Sequence, residues 1–278
     1  MKEGFLYMRT DLALESVSML EDTSGITQHN RGLKFNITEV VINSKVASER
    51  IGRKVGRYVT LESEQISKPT DDFEPMAKEL AKELRSYIPN GSVLIAGLGN
   101  NDVTPDTLGV VSARNILATR HFKFEDIQDD YLNSLREVSI ITAGVLGQTG
   151  IESSEIVKSL VDTIKPSCVL VIDAFACSET SRLGTTIQIC DTGINPGSGV
   201  NNSRKELSKE TIGVPVVAIG VPTVVDMHTI VENITGNRPN SNTPNLMVTP
   251  KNIDSIIEYS SKLLSEGISM ALHPQLTQ

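Results

Sequence analysis

The stretch Val93-Leu-Ile-Ala-Gly-Leu-Gly-Asn-Asn-Asp-Val-Thr-Pro-Asp106-Thr-Leu-Gly109 decides the fold. Its first residues are apolar without alternation, the pattern of a strand buried on both faces. Gly97, Gly99 and Asn100-Asn-Asp102 then break the chain into a loop. Apolar residues resume at helical spacing over Leu108–Thr119. Strand, loop and helix in that order form the repeating half-unit of an α/β protein.

The rhythm continues on both sides. Before it, Phe73, Met76, Ala77, Leu80, Leu84, Tyr87 and Ile88 share one face of a helix, which Pro89-Asn-Gly91 ends. After it come a strand at Val138–Ala143, a helix at Ser153–Ile164, and strands at Val169–Ile172, Thr185–Ile189 and Val214–Val221. A last helix is expected from Ile253 to about Leu264. The pattern predicts an α/β protein with a parallel or mixed sheet covered on both faces. The first ~70 residues read differently: the short β-branched runs Ile37–Ile42 and Arg57–Leu61 flank a short helix at Ala47–Lys54, which suggests a small β-rich lobe. Thr235–Thr249, rich in Asn, Pro and Ser, reads as a surface loop.

Composition narrows the function. The chain has 278 residues and a net charge of −8, which argues against nucleic acid as a direct ligand because phosphate binding needs a basic field. No apolar run is long enough to span a membrane, and the N-terminus lacks the apolar core of a signal peptide, so a cytoplasmic protein is expected. Cys168, Cys177 and Cys190 have no metal-binding spacing and read as buried free thiols.

Several chemistries lack their residues. Gly97-Leu-Gly99 begins a dinucleotide fingerprint, but Asp102 stands where the third glycine belongs, and its charge would repel a pyrophosphate. Gly144, Gly147 and Gly150 are spaced by three without the Lys-Ser/Thr of a phosphate loop. His29, His121, His228 and His273 lie in unrelated contexts, and Gly197-Ser-Gly199 sits in a turn rather than a nucleophile elbow. No cofactor is called for. What remains is carboxylates: Asp102, Asp106, Asp173, Asp191 and Asp226 each follow an apolar run. One such aspartate is ordinarily a turn or a cap. Two at the same sheet edge would share a proton, one acid holding it while the other activates water. Asp106 and Asp173, which closes Val169-Leu-Val-Ile-Asp173, are the foremost pair for hydrolysis.

Longer motifs then become recognisable. They are Arg9-Thr-Asp-Leu-Ala13, Gly56-Arg-Tyr-Val-Thr-Leu-Glu62, Gly97-Leu-Gly-Asn100 with Val103-Thr-Pro-Asp-Thr-Leu-Gly109, and Thr119-Arg-His121. Further along stand Gly144-Val-Leu-Gly-Gln-Thr-Gly-Ile-Glu152, Ile172-Asp-Ala174 and Thr186-Ile-Gln-Ile-Cys-Asp-Thr-Gly-Ile-Asn-Pro-Gly-Ser-Gly-Val200. Gly220-Val-Pro-Thr-Val-Val-Asp226, Asn245-Leu-Met-Val-Thr-Pro-Lys251 and Ala271-Leu-His273 complete the set. Together they resemble the spore germination protease family over nearly the whole chain.

That resemblance implies an atypical aspartic endopeptidase that degrades small acid-soluble spore proteins. It implies a homotetramer in the spore core, made as a self-processing zymogen. The fold is expected to be similar to that of hydrogenase-maturation endopeptidases: a three-layer sandwich with a mostly parallel central sheet and a small N-terminal β-rich extension. By motif position the catalytic acids fall on Asp106 and Asp173, with Asp191 the nearest rival. The bond cut in the zymogen is Asp11–Leu12. Residues 1–11 would then be a propeptide, 12–72 the β-rich lobe and 73–278 the catalytic domain. Backbone groups at Gly97, Gly99, Asn100, Gly144 and Gly147 are candidates, by location, for oxyanion or substrate contacts.

The chain departs from the family pattern at Thr107-Leu-Gly-Val110, Ala143-Gly-Val145 and Gly199-Val-Asn-Asn202, none of which removes a carboxylate. An insertion typical of some members is missing around Gly236–Thr243. Two alternatives stand beside the main reading: a metal-assisted peptidase of the hydrogenase-maturation type, and a non-catalytic protein binder.

Overall fold

The computed structural model describes residues 10–124, 129–197, 204–237, 239–240 and 242–277. Arg9 of the N-terminal motif, the Ser198–Ser203 stretch and Arg238 and Ser241 near the missing insertion lie outside the described residues.

Among the described residues nine strands share one sheet: β1 (Ile26–Arg31), β2 (Asn36–Ile42), β3 (Gly56–Glu62), β4 (Val93–Gly97), β5 (Val138–Thr142), β6 (Cys168–Ala176), β7 (Thr186–Cys190), β8 (Val216–Asp226) and β9 (Met247–Val248). Their order is β1-β2-β3-β7-β8-β6-β4-β5, with β9 against the end of β8. Strands β8, β6, β4 and β5 run parallel, and the remaining pairings are antiparallel. The α/β class read from the sequence is the observed one. The β-rich N-terminal strands continue the same sheet, because β3 pairs directly with β7 from Tyr58↔Cys190 to Glu62↔Thr186.

The helices are α1 (Ala13–Ser18), α2 (Lys45–Ile51), α3 (Phe73–Arg85), α4 (Leu108–Arg114), α7 (Ser153–Ile164), α9 (Met227–Thr235) and α10 (Ile253–Leu272), with short turns α5 (Asp130–Asn133), α6 (Leu146–Thr149) and α8 (Lys209–Ile212). Strand periodicity assigns their layers. Val93, Ile95, Leu170, Ile172, Ile187 and Ile189 point to one face and pack on α3, α4 and α10. Leu94, Ala96, Val169 and Val171 point to the other and meet Val157 and Val161 of α7. On that second face α1 and α2 cover Val40, Tyr58, Cys190 and Ala218.

Of the boundaries that differ from the sequence expectation, among them strand β9 within the Thr235–Thr249 stretch read as a loop, four shape the sheet and its helices. Helix α4 stops at Arg114, because Thr119 turns the chain onto β5: its N–H donates to the Val138 carbonyl and its hydroxyl accepts from the Val138 N–H. Helix α10 runs on to Leu272, with Gly267 against Leu80, where an added methyl would lie 2.6 Å from that side chain. Strand β8 continues through Pro222 to Asp226. Strand β6 continues to Ala176, so Asp173 does not end its strand. It pairs with Gly220 of β8, whereas β4 on the other side stops opposite Ile172. Asp173 therefore stands where the sheet loses one neighbour and keeps the other.

Candidate active site

Two glycines seat Asp106. A methyl group on Gly97 would lie 2.4 Å from the Gly109 carbonyl oxygen, and one on Gly109 would lie 2.2 Å from that of Ile172. Such close approach of backbones needs glycine at both positions. It presses the start of α4, and the single turn Thr104–Asp106 before it, onto the ends of β4 and β6. Asp106 is thereby delivered to the edge where Asp173 stands.

Both acids line one cleft of about 300 Å³, together with Asp11, Gly99, Gly144, Glu152 and Arg204. Asp173 is 6% exposed. Burial, then the charges of Asp106 and of Asp11, push its carboxyl well above the usual aspartate range, opposed by the Ala174 N–H it accepts at 3.0 Å. Asp106 is also raised by burial, but the Asn100 N–H donates to its Oδ2 at 2.8 Å and favours the ionised form. Of the two, Asp173 is the better proton holder and Asp106 the better carboxylate.

The N-terminal segment reaches this edge through Asp11. The Asp11 N–H donates to the Ala176 carbonyl, and its carboxylate accepts the Ala176 N–H, both at 2.8 Å. Leu12 is fully buried among Phe175, Cys177 and Val225. The Gln188 side chain donates to the Asp11 carbonyl at 2.7 Å and accepts the Ala13 N–H at 2.6 Å. Arg53 donates to the Thr10 carbonyl. Glu15, 1% exposed, accepts the Ser178 and Glu179 N–H groups at 2.8 and 3.0 Å and lies 3.4 Å from the Arg182 guanidinium.

The other sequence candidates disperse. Asp191 is exposed and lies away from the cleft, its carboxylate accepting the Arg57 N–H at 2.8 Å. Asp102 accepts from Gln148, and Asp226 caps α9 through the Thr229 N–H and hydroxyl. Gly99 and Gly144 line the cleft, whereas Gly97 is spent on packing and the Asn100 N–H on Asp106. Gly147 lies in α6, outside the cleft wall. Sequence reasoning passed over Gln188, whose one local signal is an amide in the middle of the buried run Thr186–Cys190.

Fold and cleft together define an α/β protein in which a buried aspartate and a half-buried one line a single cleft at the edge of the parallel strands. Comparison with known proteins narrows that class. The sequence model described as "Germination protease" matches residues 8–236. The germination protease of Caldanaerobacter subterraneus subsp. tengcongensis is 39% identical over 98% of this chain and 96% of its own. That of Bacillus subtilis (strain 168) is 36% identical over 98% and 95%. Its alignment runs over 355 positions against a chain of 278, so that relative carries stretches with no counterpart here. Among solved structures, the [NiFe] hydrogenase maturation protease HycI from Thermococcus kodakarensis KOD1 aligns at a TM-score of 0.40 and 21% identity, over 68% of this chain and 98% of that one. The chain belongs to the germination protease family, a family of peptide-bond hydrolases.

Proposed function

We propose that this protein is the aspartic endopeptidase of spore germination: a self-processing zymogen that cuts its own Asp11–Leu12 bond and then small acid-soluble spore proteins. The observation that carries this reading is that Asp106, Asp173 and Asp11 line one cleft. Asp106, ionised, takes a proton from water as the water oxygen adds to the Asp11 carbonyl carbon. Asp173 gives its proton to the Leu12 nitrogen as the carbon–nitrogen bond breaks. Water activation of this kind contributes about 10²–10⁴-fold. Residues 1–11 are the propeptide in this scheme, 12–72 the lobe that extends the sheet and 73–278 the catalytic domain.

The spore-protein substrate, the homotetramer and the spore-core location follow from the family resemblance. The docking of Thr10–Glu15 supports a substrate with an acid before the cut and an apolar residue after it, since Ala176 and the Leu12 pocket take those two side chains. Among the described residues no helix is long and apolar enough to cross a membrane. The test is to make Asp106→Asn and Asp173→Asn separately and to follow self-cleavage, and cleavage of a purified small acid-soluble spore protein, by electrophoresis and mass spectrometry. Each variant should lose both cuts while keeping its circular dichroism spectrum. Wild-type rates in either would remove that acid from the mechanism, and loss of cleavage on chelation would move it to a metal.

A further inference from the structure

Gln188 sits between Ile187 and Ile189 on β7 and is 3% exposed. Both halves of its amide are committed to the same distant segment, 177 and 175 positions away: Nε2 to the Asp11 carbonyl oxygen and Oε1 to the Ala13 N–H. The Ala13 N–H needs an acceptor and the Asp11 carbonyl needs a donor, so these two partners fix which way the amide is turned. The carbonyl oxygen that Gln188 holds belongs to the Asp11–Leu12 peptide itself.

The sheet explains how the residue reaches that bond. Gln188 pairs with Gly220 on β8, and Gly220 pairs with Asp173 on β6, so all three occupy one row on one face. Gly220 puts no side chain between the other two. A methyl there would strike the Asp173 carbonyl at 2.4 Å and the Phe175 ring at 2.6 Å. Two strand spacings, about 9–10 Å, separate the Gln188 and Asp173 backbones. Asp11 lines the cleft of the two acids on one side and a smaller cavity of about 110 Å³, walled by Gln188, Arg53 and Tyr58, on the other.

We infer that Gln188 is a catalytic residue that stabilises the oxyanion of the cleaved peptide. As the water oxygen adds to the Asp11 carbon, the carbonyl π pair moves onto the oxygen, and the Nε2–H bond strengthens against that charge. When the carbon–nitrogen bond breaks, the pair returns to form the new carboxyl group. The donor is preset by the Ala13 bond and is 3% exposed, the condition under which such donors act most strongly. The Oε1 contact also sets register, because it needs a free N–H two residues beyond the cleaved carbonyl.

This rests on the reading above, in which Asp11–Leu12 is the bond cut. The test uses the full chain for single-turnover self-cleavage, and the processed enzyme with the peptide Thr-Asp-Leu-Ala-Leu-Glu for kcat and KM. Gln188→Glu keeps an acceptor for the Ala13 N–H and loses the donor once its carboxyl ionises, so its defect should deepen as pH rises. Gln188→Met keeps the bulk and loses both, and serves if the buried charge of the first prevents folding. Each should lower kcat by about 10²–10³-fold with KM little changed. A phosphinate analogue of the peptide, tetrahedral and anionic at the cleaved position, should lose affinity by a matching factor. A loss confined to KM, or phosphinate binding equal to wild type, would overturn the assignment and leave Gln188 a clamp. Asp173→Asn separates the two layers. Loss there with wild-type rates in the Gln188 variants sinks this inference alone, whereas full activity in Asp173→Asn sinks the underlying reading.

Discussion

At the scale of single residues, five aspartates share the same local signature and only their surroundings divide them. Asp102, Asp191 and Asp226 spend their oxygens on Gln148, the Arg57 N–H and the Thr229 cap. Asp106 and Asp173 keep theirs at the cleft, where burial raises both. The consequence for stability has a definite sign. A carboxyl whose folded value lies above the unfolded one, about 3.9, contributes stability that is full below that pH and is lost as pH rises through the folded value. Asp173→Asn, uncharged in both states, should therefore melt higher than the parent at pH 7 and lose that advantage near pH 3. Thermal melts across pH check this, and parallel curves would contradict it. The rate of self-cleavage should rise as Asp106 ionises and fall as Asp173 gives up its proton, a bell in stopped-time assays whose acid limb lies above pH 3.9.

At the scale of elements, the site depends on how closely α4 sits on β4. Apolar periodicity announced both elements, and the glycines between them announced a turn. What periodicity does not carry is the backbone contact of Gly97 with Gly109, which sets the height of the Thr104–Asp106 turn. Gly97→Ala should cost about 1–3 kcal/mol by overpacking, read as a lower urea midpoint at unchanged slope. It should also slow self-cleavage, since the turn that carries Asp106 must lift. An unaltered midpoint would mean the helix yields without cost. The same limit explains β6: its apolar run stops at Ile172 in sequence, but pairing with β8 holds it extended to Ala176. Strand length is set by the partner, and the partner is distant in sequence.

At the scale of the whole molecule, the N-terminal segment is welded across three parts of the sheet. Leu12 fills a pocket from β6 and β8, Gln188 holds the main chain from β7, and Glu15 is received by the loop after β6. Glu15→Ala removes the carboxylate from beside Arg182 and two backbone N–H groups. Arg182 keeps Glu62 and Glu179, so the cost is that of backbone N–H groups left without their acceptor, about 1–3 kcal/mol each. Hydrogen exchange over residues 10–18 should accelerate sharply in that variant while β4 and β6 stay protected. Unchanged exchange there would show that Leu12 alone anchors the segment.

The sequence by itself determined the α/β class, the faces of its strands and helices, membership of the germination protease family and the positions of the acids worth watching. Those are local properties, written in the spacing of apolar residues, in turn residues and in contiguous motifs. Only the tertiary structure decided that Asp11, Asp106 and Asp173 line one cleft and that Gln188 holds the Asp11 carbonyl. Their meeting depends on the strand order β8-β6-β4, in which neighbours in space are not neighbours in the chain. Periodicity tells which face a residue lies on; hydrogen-bonded pairing between distant strands decides what lies beside it.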